Sequence, residues 1–380
     1  MLILPILCLA LSPIQIDGSF HDWEDGVTHQ EDDYFVYQLI ELPSEACLQQ
    51  LPEQKVVEIG EYTVFFSPKG KGYGVSCKKG DEWISPYDAG VVFAPTTAAT
   101  SFELRVNKPK TTFPTKQCEA LFTPKGDLRV VSWNVQFGNL LDDTERSARI
   151  LKALQPDVLL LQELDGDDTP ATITDFINAA LGGNWTAATS TSSGTERHHK
   201  LKSAIVTSLQ SKIFECIAKQ KIIVGAIYVK EKPINFISLH LRCCGGPTGE
   251  AEEQRQEEAK SIRSIIDNMQ SPRFVIAGDW NLVGTTKPLE IVQANRLAIV
   301  DAFQPDMRLN ATWSDTASSF TPGRLDWMLY SPETLTLVNS FVLDTADIDK
   351  KTSFEKNLKA EDTAKLSDHL PLVADFRIVK

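Results

Sequence analysis

The sequence predicts an α/β layered domain preceded by a smaller, mostly-β domain, and three observations support this. Strand-like and helix-like segments alternate from Asp127 onwards, which is the order typical of layered α/β domains. Before Asp127, the apolar segments have β character, are separated by Gly, Pro, Asp and Ser, and show no helical period. The length of 380 residues favours two domains.

The chain opens with a short apolar segment. Residues 2–11 are apolar but too few to span a bilayer, which suits the core of a signal peptide over 1–15 or, alternatively, a buried N-terminal strand. A cleaved leader predicts a secreted or periplasmic protein, and the strand alternative predicts a cytoplasmic one. No later segment is apolar enough to cross a membrane.

Residues 16–106 are predicted to form a β-sandwich-like module, followed by a linker over 107–126. The β character lies in four segments: 34–42, 55–66, 72–77 and 101–106. The module opens with Asp17-Gly-x-x-x-Asp22-Trp23, which resembles the start of secreted carbohydrate-binding β-sandwich modules. This resemblance implies a glycan contact, and a purely structural domain is the alternative.

Residues 127–380 are predicted to form the second domain. Polar caps and apolar periodicity predict three helices, beginning after Thr144, around Ile173 and near Glu250. Residues 186–202 are interpreted as a surface loop, and adjacent His198 and His199 as solvated rather than as a metal pair. Short apolar runs predict the strands 128–133, 158–162, 203–207, 222–229, 235–240, 274–277, 325–330 and 372–376.

Charge and cysteine content narrow the function. The net charge of −13 argues against tight, non-specific binding of nucleic acid, which needs an excess of Lys and Arg. The cysteines beyond the leader permit disulfides, but no CxxC spacing suggests structural zinc. Adjacent Cys243 and Cys244 fit plain packing, a disulfide-bonded turn or a redox switch.

Acids, amides and histidines follow the predicted strands. Asp279 and Asn281 end the run Phe274-Val-Ile-Ala-Gly, and alternation in an extended segment would place both side chains in one cleft. Similar groups end or open other strands: Asn134, Glu163, His240, Asp326, Asp368 and His369. Mg²⁺ takes oxygen ligands and keeps several waters, so one or two carboxylates suffice, and Glu163 is the principal ligand candidate.

Six fragments in this order resemble the endonuclease/exonuclease/phosphatase superfamily of magnesium-dependent phosphoesterases, over residues 127–380. They are Ser-Trp-Asn134-Val, Leu-Gln-Glu163, Ser-Leu-His240-Leu, Gly-Asp279-Trp-Asn281, Arg-Leu-Asp326-Trp and Ser-Asp368-His369. The resemblance implies two β-sheets packed face to face and flanked by helices, with the site at one end. It also implies a hydrolase of phosphoester bonds that uses Mg²⁺, with Mn²⁺ as a substitute.

The resemblance assigns roles by position. Glu163 would bind the metal, with Asp368 as a further metal-side acid and Asn134 near metal or phosphate. Asp279 would orient or deprotonate the attacking water. His240, His369 and Asn281 would face the phosphate, and Asp326 would orient His369. Several nuclease members carry an acid where this chain has Gln136, which predicts a single magnesium ion.

The resemblance leaves the substrate open. A nuclease that hydrolyses phosphodiester bonds is favoured for a freely secreted protein, and a sphingomyelinase-like enzyme or an inositol phosphate phosphatase is the alternative. A different class, an exported binding protein without catalysis, is disfavoured because all the acids, amides and both histidines are retained.

Overall fold

A computed structural model describes residues 14–18, 20–42, 53–69, 72–94, 100–108, 118–191, 200–216, 220–245, 249–283, 285–305, 309–318 and 321–379. Residues 1–13 of the predicted leader, and His198 with His199, lie outside these ranges. Within them, no helix is long and apolar enough to cross a membrane.

The N-terminal unit is β-rich, as predicted, and consists of two four-stranded antiparallel sheets. The first has the order β1-β2-β8-β7: β1 His29–Glu31, β2 Phe35–Glu41, β8 Ser101–Asn107 and β7 Val92–Ala94. The second has the order β3-β4-β5-β6: β3 Lys55–Ile59, β4 Tyr62–Lys69, β5 Gly72–Lys79 and β6 Glu82–Ile84.

The two sheets of this unit share one apolar core. Phe66 of one sheet packs edge-on against Phe93 and Phe102 of the other, with ring centroids 5.2 and 5.3 Å apart. The predicted segment 55–66 is in fact a hairpin of β3 and β4, because Gly60 adopts a φ of +58° and reverses the chain.

The second unit is a sandwich of two six-stranded sheets. The first has the order β11-β12-β10-β9-β20-β19: β11 Thr186–Thr189, β12 Lys202–Thr207, β10 Val158–Leu164, β9 Leu128–Asn134, β20 Leu372–Ile378 and β19 Leu335–Val342. The second has the order β13-β14-β15-β16-β18-β17: β13 Ser211–Cys216, β14 Ile222–Val229, β15 Lys232–His240, β16 Phe274–Asp279, β18 Asp326–Tyr330 and β17 Ala298–Ile299.

Helices cover the outer faces of this sandwich. The described α-helices are α1 Glu119–Phe122, α2 Asn139–Asp142, α3 Thr144–Leu154, α4 Pro170–Leu181, α5 Glu250–Asn268, α6 Lys287–Gln293, α7 Lys350–Lys356 and α8 Asp362–Leu366. The N-cap of α3 is Asp143 rather than the predicted Thr144, because the Asp143 carboxylate accepts a hydrogen bond from the Arg146 amide. Residues 186–189 form β11 instead of a loop.

The layering follows from alternation along the strands. Val130 of β9 belongs to the core between the two sheets, whereas the next residue, Val131, belongs to the core under the helices. The between-sheet core joins residues of both sheets, including Phe236 and Phe376. Burial on both faces explains why these strands read as continuous apolar runs in the sequence.

The predicted linker over 107–126 contains structure where it is described. Helix α1 places Phe122 in the core under the helices of the second unit, 5.7 Å from the Phe341 ring. The Phe122 carbonyl also accepts a hydrogen bond from buried Arg129. The end of this segment therefore packs as part of the second unit.

The N-terminal segment 14–18 connects the two units. Ile14 and Ile16 are buried, and Asp17 accepts a hydrogen bond from Arg324 of the second unit at 2.9 Å. Both side chains of this ion pair are almost fully buried, and the Arg324 guanidinium stacks on Trp327 at 3.9 Å. Burial lowers the pKa of Arg324 and Asp17 raises it, so the carboxylate supports the buried charge.

We predict that Asp17→Asn destabilises the protein by about 3–5 kcal/mol, because the substitution leaves a buried guanidinium without its neutralising carboxylate. Urea unfolding followed by tryptophan fluorescence measures this loss. Asp33→Asn, at an exposed acid of the same unit, is the matched control. A loss of about 1 kcal/mol or less, the range of exposed ion pairs, would contradict the prediction.

Candidate active site

Strand pairing gathers the polar residues at one end of the sandwich. In the second sheet His240 pairs with Asp279, which in turn pairs with Asp326, so three neighbouring strands present these side chains in one row. In the facing sheet, parallel pairing places Gln162 opposite Asn134, and Glu163 follows directly. The site therefore lies where the two sheets meet.

Glu163 adopts a left-handed conformation with a φ of +57° at the end of β10. The pairing of β10 with β12 is irregular between Leu161 and Leu164, and this irregularity turns the Glu163 side chain towards the other sheet. Its Oε1 lies 3.7 Å from Nε2 of His240, and its Oε2 accepts a hydrogen bond from the Phe137 amide at 3.3 Å. Such backbone strain in a long residue is typical of functional sites.

Asp279 lies at the centre of the site and is buried. Its Oδ2 accepts a hydrogen bond from Asn134 at 3.1 Å and lies 3.6 Å from His240 Nε2 and 3.8 Å from His369 Nε2. Burial raises the pKa of Asp279 to about 8, the neighbouring charge of His369 opposes this rise, and the carboxylates of Asp326 and Glu163 add to it.

His369 and Asp326 form a close pair. The Nδ1 of His369 lies 2.7 Å from Oδ2 of Asp326, and the Asp326 amide donates to the hydroxyl of Thr312. Burial lowers the pKa of His369, but the carboxylates of Asp326 and Asp279 outweigh it and raise the pKa to about 10. His369 is therefore an imidazolium at neutral pH.

His240 has the opposite protonation preference. It is fully buried, and burial together with the positive charges of Lys221 and His369 holds its pKa well below 6.5. Its Nε2 faces Glu163 and Asp279, and its Nδ1 has no hydrogen-bond partner among the described residues. One neutral and one charged imidazole thus face the same carboxylate.

The remaining predicted residues lie close by, in different surroundings. The amide oxygen of Asn134 accepts from the Gln136 amide, and its NH₂ points to Asp279. Asn281 has a φ of +48°, so the alternation rule for an extended segment fails here; its Nδ2 donates to the Leu241 carbonyl. The Asp368 carboxylate accepts a hydrogen bond from the Trp313 indole at 3.0 Å. Among the described residues, the acids and histidines close enough to share a metal ion are Glu163, His240 and Asp279, and Asp279, Asp326 and His369, so Asp368 belongs to neither group.

Gly278 is required for a close strand approach. Its φ is +153°, and a Cβ there would lie 1.9 Å from the Leu239 carbonyl of the neighbouring strand. Any larger residue would push β16 away from β15 and separate Asp279 from His240. Gly278 therefore lies inside β16 and is not part of a turn.

The charge of the site fits a divalent cation. Glu163, His240 and Asp279 each offer a ligand atom, and these atoms lie within 4.8 Å of one another, as do those of Asp279, Asp326 and His369. Three carboxylates share one imidazolium, and their mutual repulsion contributes to the raised pKa of Asp279. Carboxylate and amide oxygens suit a hard divalent cation.

Lys221 escaped the sequence analysis. It precedes β14, and its carbonyl accepts a hydrogen bond from the His240 amide at 3.0 Å. Burial lowers the pKa of its ammonium, while Glu163 and Asp279 raise it, which places the charge beside the site. Counting back from the turn that pairs Val229 with Lys232 would have aligned residue 221 with His240.

One known protein family matches most of the second unit in sequence. The model of the endonuclease/exonuclease/phosphatase family matches residues 131–369. The chain belongs to this family. Its members are hydrolases that act on phosphoester bonds, and the protein is therefore such a hydrolase. The matched range contains every predicted site residue from Asn134 to His369.

Several solved structures resemble the chain at low identity. A family protein from Leptotrichia buccalis is 17% identical, with a TM-score of 0.48 over 66% of this chain and 99% of that one. The 3′-phosphatase NExo from Neisseria, bound to product DNA hairpin, is 16% identical, with a TM-score of 0.47 over 66% and 99%. Beta toxin from Staphylococcus aureus is 16% identical, with a TM-score of 0.45 over 65% and 99%. A comparison with curated proteins found no match.

We predict that Asp326→Asn lowers the pKa of His369 by about 1–3 units, because the amide no longer stabilises the imidazolium. Since the native pKa is raised, the charged form is lost at lower pH in the variant than in the native protein. NMR titration of the His369 ring protons measures the shift.

Asp368→Asn is the matched control for this titration. Its carboxylate is bonded to Trp313 and contributes less to the pKa of His369 than the Asp326 carboxylate does. Equal shifts in the two variants, or none in Asp326→Asn, would show that the 2.7 Å pair does not hold the proton.

Proposed function

We propose that the protein is a magnesium-dependent phosphodiesterase whose substrate is a nucleic acid. The observation that carries this proposal is the convergence of Glu163, His240 and Asp279 with the Asp326–His369 pair at one end of the sandwich. In-line attack on a phosphodiester builds negative charge on the phosphoryl and leaving oxygens, and a cation with fixed donors stabilises it.

Glu163 is the principal metal ligand in this proposal. Asn134 and Asp368 are kept as assisting groups because of their places in the family motifs, although the Asp368 carboxylate is bonded to Trp313. When bound, Mg²⁺ would supply Lewis-acid stabilisation of the phosphoryl oxygens. Glu163 points across the gap between the sheets, and the Phe137 amide holds one of its oxygens. Its other oxygen lies 3.7 Å from Nε2 of His240.

Asp279 orients the attacking water and accepts its proton. Burial raises the pKa of Asp279 and thereby its affinity for a proton, which suits a general base. The Asn134 amide and the Asn281 backbone amide each donate to one of its two oxygens, so the carboxylate has a fixed orientation. In this proposal, the Asn281 side chain also hydrogen-bonds the phosphate of the substrate.

The two histidines stabilise the phosphate by different means. His369 presents a charged N–H through Nε2, because Asp326 holds its other nitrogen. His240 is neutral and can donate one N–H from Nε2 without adding charge. Removing either donor would weaken the stabilisation of the transition state.

The charge balance favours a diester over a monoester. When ionised, the three carboxylates carry three negative charges, whereas one divalent cation together with His369 and Lys221 carries four positive charges, which leaves one for the substrate. A diester carries a single negative charge at neutral pH, whereas a monoester carries nearly two. The net charge of −13 suggests weak, transient contact with nucleic acid away from the cleaved bond.

We predict that Glu163→Gln and His369→Ala each lower the Mg²⁺-dependent hydrolysis of bis(p-nitrophenyl) phosphate by about 100-fold or more. Each change removes a charged group that the transition state needs and leaves the sheets intact. Release of nitrophenol gives kcat/KM, and thermal unfolding checks that the variants fold.

Glu253→Gln, at an exposed acid in the first turn of α5, is the control and should keep native activity. Faster hydrolysis of the monoester p-nitrophenyl phosphate than of the diester would oppose the charge argument. Native rates in both Glu163→Gln and His369→Ala would refute the assignment of the site.

We predict that Mg²⁺ binds with a stoichiometry of one and that Glu163→Gln weakens this binding by about tenfold or more, because an amide has no negative charge. Isothermal titration calorimetry of the chelator-treated protein measures affinity and stoichiometry, with Mn²⁺ as the substitute ion. A stoichiometry of two, or unchanged affinity in the variant, would contradict the single-metal prediction based on Gln136.

A panel of single-stranded DNA, RNA, sphingomyelin vesicles and inositol phosphates identifies the substrate. The proposal expects cleavage of a nucleic acid, abolished by His369→Ala. Cleavage of sphingomyelin or of an inositol phosphate alone would support the proposed phosphoesterase activity but contradict the proposal that the substrate is a nucleic acid.

A further inference from the structure

The adjacent cysteines Cys243 and Cys244 lie exposed in the loop between β15 and α5. Their sulfur atoms are 2.9 Å apart and share a hydrogen bond. Exposure excludes the packing interpretation of this pair, because buried apolar surroundings are what a structural cysteine occupies. Two exposed thiols in contact point instead to chemistry at the sulfur atoms.

Arg255 of α5 holds the loop that contains the two cysteines. Nη1 of buried Arg255 donates to the carbonyls of Arg242 and Cys244, each at 2.8 Å, and the same guanidinium pairs with Glu252 at 2.7 Å. Cys244 has a φ of +67°, a strained conformation for a residue with a side chain. The Arg255 bonds restrain this strained turn and keep the two sulfur atoms in contact.

The environment also favours a thiolate. The hydrogen bond between the two sulfur atoms lowers the pKa of Cys244 to about 6 and raises that of Cys243. The positive charges of Arg242 and Arg255 act in the same direction on Cys244. A thiolate, not a thiol, is the nucleophile in thiol–disulfide exchange.

We propose that Cys243 and Cys244 form a redox modification site that reacts with low-molecular-weight disulfides and closes into a disulfide between neighbouring residues. The Cys244 thiolate attacks one sulfur of the small disulfide and expels one thiolate. Cys243 then loses its proton and attacks the Cys244 sulfur of the mixed disulfide, which expels the second thiolate. Two protein thiols are oxidised, and one small disulfide is reduced to two thiols.

The pair is linked to the site through Leu241. Its carbonyl accepts a hydrogen bond from Asn281 at 3.2 Å, and its amide donates to the Asp279 carbonyl at 2.9 Å. Closing a small ring through the peptide bond between Cys243 and Cys244 changes the backbone angles that the Arg255 bonds hold. We expect the displacement to reach Leu241 and Asn281 and to lower activity, a consequence that rests on the proposed phosphodiesterase.

The full-length protein, treated with glutathione disulfide and digested without reduction, tests the modification. Mass spectrometry should find the peptide with Cys243 and Cys244 lighter by two hydrogen masses, and dithiothreitol should restore it. Cys243→Ser should stop at a glutathione adduct on Cys244. Cys216→Ser, at another exposed cysteine among the described residues, should leave the internal disulfide unchanged.

Two outcomes of this experiment would overturn the modification site. One is oxidation confined to Cys216, with both thiols of the pair remaining reduced. The other is stable double glutathionylation of Cys243 and Cys244 without ring closure. Neither outcome depends on catalysis, so the proposed function stands or falls separately.

Activity towards bis(p-nitrophenyl) phosphate, measured against the oxidised fraction, tests the link to the site. We expect oxidation to lower kcat/KM by about 10–100-fold in the native protein, because small displacements of substrate-positioning groups cost that much. After the same treatment, Cys243→Ser should keep the kcat/KM that the native protein has before oxidation. Complete ring closure with an unchanged rate would overturn the link.

Discussion

The site depends on the pairing register of three neighbouring strands. His240 pairs with Asp279, and Asp279 pairs with Asp326. A shift of one residue in either pairing would point one of these side chains to the opposite face of the sheet, away from the site. Gly278 permits this register, because the Leu239 carbonyl of the neighbouring strand leaves no room for a side chain at that position. The electrostatics of the site are a consequence of that spacing.

The same spacing explains the divided protonation of the two histidines. Both rings are fully buried and lose hydration to a similar degree, yet only His369 has a carboxylate on its far nitrogen. The Asp326 carboxylate, placed by β18, therefore decides which imidazole carries the proton. Charged His369 in turn opposes the rise in the pKa of Asp279, so strand order links all three groups.

Much of the fold and the site could be predicted from sequence because burial on two faces leaves an unmistakable pattern. The runs at Val158 and Phe274 are apolar throughout, and their polar ends mark where each strand leaves the core. The position of Asn281 could not be predicted, because its left-handed backbone breaks the alternation on which the argument rested. Strand β19 gave too weak a signal because its middle residues are only partly buried, and Lys221 gave none because it lies outside any motif.

The buried Asp17–Arg324 pair ties the N-terminal unit to the strand that bears Asp326. Arg324 lies only two residues before that carboxylate, and its guanidinium also bonds to the Val300 carbonyl. Trimming the chain to the family-matched range of 131–369 would remove Asp17 and leave the buried Arg324 guanidinium without its carboxylate partner. Recombinant work on the hydrolase should therefore begin from the two units together, since the first unit supplies the carboxylate that neutralises a buried charge of the second.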